Sequence, residues 1–149
     1  MLIQEESGIH VGISADLAET ARHAASVMNN HYQQWLQQDR FAAWGNYKQH
    51  HFTIAVGGGN TLKAEYQSWL EQHHRGIDWI KHVRFFFLEE SSGEKNWESA
   101  ETSLIVNFIV PLARKLIKTR GINAIATTLK LERPVDEDDI IDAMITRMI

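Results

Sequence analysis

The sequence predicts an α/β protein, built as an open, mostly parallel sheet with helices on both faces. Three observations carry that expectation. Phe52-Thr53-Ile54-Ala55-Val56 is a short run of strand-favouring residues that leads into Gly57-Gly58-Gly59 and then into a stretch with helical spacing. Val83-Arg84-Phe85-Phe86-Phe87-Leu88 is apolar nearly throughout after Arg84, the pattern of a central parallel strand covered on both faces. Strand and helix signals alternate along the chain in the order β-α-β-α-β-α-β-α.

The bulk properties agree with one soluble domain spanning residues 1–149. A chain of 149 residues can bury a sizeable core, and 44% apolar with 23% charged residues is ordinary globular composition. A formal net charge of −4 offers no surface for nucleic acid or membrane. There is no cysteine, which excludes disulfides, thiolate catalysis and cysteine metal sites and fits a reducing, cytoplasmic setting. Met1 to Glu6 is acidic without a signal-peptide apolar core, and no apolar run reaches membrane-spanning length.

Taken in order, His10 to Ile13 reads as a short first strand, with Ser14 as the N-cap of the helix that follows. Leu17, Ala21, Ala24, Met28, Tyr32 and Trp35 recur at steps of three and four and predict a long amphipathic helix. Asp39 to His51 is a connection in which Trp44 and Tyr47 are expected over the core. After Val56 and the glycines, Leu62, Tyr66, Trp69 and Leu70 mark a second helix, ending near His73-His74-Arg75-Gly76. Adjacent histidines, here and at His50-His51, do not share a helix face and do not make a metal pair. Asn96 to Thr119 reads as a helix broken near Pro111, with Gly121 as its stop. Ile122 to Ala126 is a strand candidate. Asp136 caps a last helix whose apolar residues Ile140, Ile141, Met144, Ile145 and Met148 form two adjacent rows. One row is expected on the chain's own sheet and the other in water.

The chemistry centres on Gly57-Gly58-Gly59-Asn60-Thr61 and Lys63. A glycine turn feeding a helix N-terminus presents free N–H groups and the positive end of the helix dipole, which suits a phosphate. The spacing is neither G-x-G-x-x-G nor G-x-x-x-x-G-K-[ST]. The alternative is a tight strand-to-helix turn with no ligand. Glu89 and Glu90 follow the second strand, where ligands bind in open α/β sheets. A carboxylate there suits a general base, and a solvated acidic loop is the alternative.

Together these motifs resemble the N-terminal half of the 6-phosphogluconolactonase and glucosamine-6-phosphate deaminase/isomerase group. Gly58-Gly59-Asn60-Thr61 stands where that family has G-G-x-T, with Lys63, Ala64 and Tyr66 in familiar places. Trp79 to Ser91 resembles its W-x-x-V-x-x-F-x-x-D-E-R stretch, and Pro134 to Asp139 its D-P-E-E-A-A region. The resemblance implies a Rossmann-like fold, truncated relative to the family's, and a phosphorylated sugar as ligand without a metal or cofactor.

The departures bear on mechanism. The family's Asp-Glu-Arg is Glu89-Glu90-Ser91 here, and Lys95 replaces the usual serine before Asn96. The G-x-G-x-D-G-H loop that carries the family's catalytic histidine does not occur in the sequence. Two functions follow from the resemblance. One is a sugar-phosphate enzyme in which Glu89 or Glu90 is the base and catalysis as an isolated chain is weak or absent. The other is a non-catalytic regulatory or assembly module that keeps the fold. Either is expected to form a homodimer or to pair with a second polypeptide.

Overall fold

The computed structural model describes residues 2–6, 9–13, 16–37, 51–72, 76–88 and 99–149. Those residues form a mixed and mostly helical structure with two small sheets. β1 (Leu2–Glu6) and β2 (Ile9–Ile13) pair antiparallel with each other. β3 (Phe52–Val56) and β4 (Val83–Phe87) pair parallel, with Phe52 opposite Val83 and Val56 opposite Phe87. The predicted first strand therefore exists, but it lies in a separate hairpin with Leu2–Glu6, a strand that sequence reading missed.

Helix α1 (Leu17–Gln37) starts two residues later than its expected cap, and Ser14 lies outside the described residues. Asp16 takes the capping role: its Oδ1 accepts from the Glu19 amide at 2.8 Å. Trp44, Tyr47 and His50 lie outside the described residues. α2 (Asn60–Glu71) follows the glycines, and a short α3 (Gly76–His82) leads straight into β4.

The expected break at Pro111 is a widening of the helix instead. α4 (Ala100–Leu104) continues through a π turn (Ile105–Ile109) into α5 (Val110–Arg120). Pro111 has no N–H to donate, and its ring crowds the carbonyl four residues back. The wider turn upstream, closed by Val110 N–H donating to the Ile105 carbonyl, accommodates it without ending the helix. Ser99 caps the start, accepting from the Thr102 amide at 3.0 Å.

Ile122 to Ala126, expected as a strand, belongs to α6 (Ile122–Thr128). Gly121, at φ +87°, ends α5 and starts α6, and only glycine adopts that backbone freely. The pattern of Ile122, Ile125, Ala126 and Leu129 is helical once the turn is placed there; the last three are buried and Ile122 packs against the core. α6 closes with a left-handed Lys130 (φ +60°): its amide donates to the Thr127 carbonyl and that of Leu131 to Ala126. This is the glycine-type helix ending, with lysine in the strained position. α7 (Glu137–Met148) carries the predicted Asp136 cap, which is a reciprocal capping box with Asp139.

The core gathers the buried faces of these elements. Tyr32 of α1, Trp69 of α2, Trp79 of α3, Phe85 of β4 and Phe108 of the π turn interlock, with ring centroids 5.3 to 6.1 Å apart. Such pairs add about 0.5–1.5 kcal/mol each beyond burial. Ile140, Met144 and Met148 of α7 are fully buried, and Ile141 and Ile145 pack half-buried against the same core. The water-facing apolar row expected on this helix is therefore absent. Its width is used by α5, α6 and β4, which α7 touches on different sides.

The parallel pair shows the opposite departure. Along its covered face, Val56, Val83 and Phe85 are buried, with Phe52, Ile54 and Phe87 packed beside them. Along the other face Thr53 and Ala55 are exposed, as are Phe86 at 57% and Leu88 at 73%. β4 is thus covered on one face only, although its sequence reads as covered on both.

Candidate phosphate loop

β3 ends at Val56, and the amide of Leu88 donates to the Val56 carbonyl at 3.0 Å. The carboxyl ends of both strands therefore lie side by side, with Gly57 to Gly59 leaving from one of them. Gly59 has φ +105° and ψ 172°, a conformation that side chains exclude, and it is the N-cap of α2. It carries no side chain to cap the helix, unlike Ser99 and Asp136 at the starts of α4 and α7. The first bond of the helix runs from the Lys63 amide to the Gly59 carbonyl at 3.3 Å. The amides of Asn60, Thr61 and Leu62 then have no carbonyl within the helix to receive them.

The space around the loop is open. A Cβ built on Gly57 or on Gly59 would meet no atom within 4 Å. Asn60, Thr61 and Lys63 are exposed. The loop thus brings together Gly57, Gly58, Gly59, Asn60, Thr61 and Lys63 in one strand-to-helix turn, as the sequence predicted. Glu89 and Glu90, the predicted acid–base pair, lie outside the described residues.

Two side chains escaped sequence reading. Glu65, one turn into α2, is half-buried and accepts from Trp69 Nε1 at 2.8 Å. Burial pushes its carboxyl above the ordinary range, and the indole hydrogen bond partly offsets that. The i, i+4 spacing of Glu65 and Trp69 on a predicted helix was the available signal. Arg84 is the other: its Nε is buried and has no hydrogen-bond partner among the described residues. No group of histidine, aspartate and glutamate among the described residues is arranged to hold a metal ion. No described helix is long and apolar enough to cross a membrane.

Comparison with known proteins found no family model that matches the chain, no matching curated protein and no matching solved structure.

Proposed function

We propose that the chain binds a phosphorylated sugar at its glycine loop and has weak or no catalysis on its own. In this reading it is a cytoplasmic relative of the phosphogluconolactonase and deaminase group, with an open, mostly parallel Rossmann-like sheet of which β3 and β4 are two strands. The observation that supports it is the uncapped start of α2 directly after Gly57-Gly58-Gly59. Helix starts normally recruit a side-chain acceptor, and a phosphate would supply the acceptors missing here while matching the positive helix end. Ligands in open α/β sheets bind beyond the carboxyl ends of parallel strands, which is where this loop lies. Weak catalysis follows from the missing histidine loop and from Ser91 in place of the family's arginine.

Titration with 6-phosphogluconate, followed by NMR, tests the binding. The amides of Gly58, Gly59, Asn60, Thr61 and Leu62 are expected to shift together. Gly57→Ala should leave the fold intact, since its Cβ meets nothing, yet weaken binding by filling the approach to the amides. Millimolar ligand that leaves these amides unmoved refutes the proposal. A turnover of about 1 to 1,000 per second would refute its catalytic half.

A second reading, a non-catalytic regulatory or assembly module that self-associates or binds a second polypeptide, draws on a different observation. Phe86 and Leu88 stand exposed on a face of the parallel pair that nothing among the described residues covers. Exposed apolar patches of this kind are usual at interfaces.

A further inference from the structure

We propose that the uncovered face and outer edge of the β3–β4 pair dock an extended, acidic segment of a partner protein. The inference deepens the assembly reading and does not depend on phosphate binding at the loop.

Three features of one region point to this occupant. The first is shape. A groove of about 610 Å³ runs between α1 and β3, lined by Val27, Met28 and His31 on one side and by Phe52 to Ala55 on the other. Among the described residues β3 pairs only with β4, so its other edge offers main-chain donors and acceptors to an added strand.

The second is apolar exposure. Alternation along the strands puts Thr53, Ala55, Arg84, Phe86 and Leu88 on one face, with Thr53 opposite Arg84 and Ala55 opposite Phe86. Parallel strands normally have both faces covered. A segment laid along the β3 edge would bury alternate side chains here and in the groove.

The third is charge. Arg84 sits on this face with its Nε buried and unpartnered, and it has no hydrogen bond or ion pair among the described residues. A guanidinium held among apolar neighbours calls for a carboxylate. The ionisable groups of this face and groove are Arg84 and His31; neither carries an acidic residue, although the chain as a whole has 19 acidic residues against 15 lysines and arginines. A basic-only surface on an acidic chain selects an acidic partner.

The probe is a capped synthetic heptapeptide of alternating valine and glutamate, with its valine–lysine counterpart as control, titrated into the full chain and followed by NMR. The glutamate peptide is expected to shift the amides of Thr53, Ala55, Phe86 and Leu88. The lysine peptide should bind about tenfold more weakly or not at all, a comparison that needs no variant. Arg84→Gln, with its fold checked by amide dispersion, should lose about tenfold in affinity for the glutamate peptide. Equal binding of the two peptides, or an unchanged affinity in Arg84→Gln, overturns the inference. So does a dimer by sedimentation that Phe86→Ser dissociates, because a second copy would then be the occupant; that result leaves the assembly reading standing.

Discussion

Replacing Gly59 by alanine separates the backbone of the loop from everything around it. The residue sits at φ +105° and ψ 172°, a region that a Cβ makes costly. A residue forced there loses about 1–3 kcal/mol. Alanine also restricts the unfolded chain, which returns about 0.4–1 kcal/mol. The new Cβ meets no atom within 4 Å, so no clash adds to the balance. The net expectation is a loss of about 1–2 kcal/mol, or roughly 3–7 °C in Tm for a domain of this size. Urea unfolding measures it, with an unchanged m-value showing that the denatured state is the same. Gly57→Ala is the control: its backbone is not at positive φ, and its stability should stay within about 0.5 kcal/mol of the native chain. A Gly59→Ala protein as stable as the native one would mean that Gly59 does not hold this conformation. The open amides at the start of α2 would then lose their structural basis.

Two further predictions concern stability away from the loop. Tyr66 is fully buried, its hydroxyl has no hydrogen-bond partner among the described residues, and burial pushes its pKa up to about 12. The unfolded tyrosine ionises near pH 10, so between pH 10 and 12 the unfolded state sheds a proton that the folded state keeps, and stability falls as pH rises. The loss amounts to about 2–3 kcal/mol, and urea melts of Tyr66→Phe across that range should lack this part of the slope. Lys130→Gly relieves a left-handed residue that is exposed and whose amide alone is needed for the helix ending. It should stabilise the chain by about 0.5–1 kcal/mol in the same melts, and destabilisation would show that the lysine side chain makes a contact of consequence.

The parts of the fold that proved legible were those in which local chemistry agrees with position. Asp136 with Asp139, Gly121, and the stripe of Ile140 and Met144 each satisfy a local rule, and each stands where that rule puts it. The glycine loop was legible for the same reason, since three glycines between an apolar run and a helical pattern leave few conformations. Ile122 to Ala126 misled because five residues cannot distinguish a strand from one turn and a half of helix. Val83 to Leu88 misled in another way. An apolar run reports that a strand can be covered on both faces, and it does not report whether anything covers it. Arg84 and Glu65 were invisible as site candidates because their interest lies in burial and partners, which no spacing encodes.

The π turn between Leu104 and Val110 has a consequence for how this chain tolerates change. That turn holds one residue more than an α turn, and each residue rotates the helix face by roughly 100°. Deleting any single residue from Ile105–Ile109 would leave an unbroken helix but swing everything after it around the axis. Leu112, Ala113 and Leu116, all fully buried, would leave their places in the core and the contact with α7. Exchanging one apolar side chain for another in the same stretch alters volume alone. The length of this segment, more than its composition, therefore sets the rotational register of the C-terminal third, and its descendants should accumulate substitutions there far sooner than gaps.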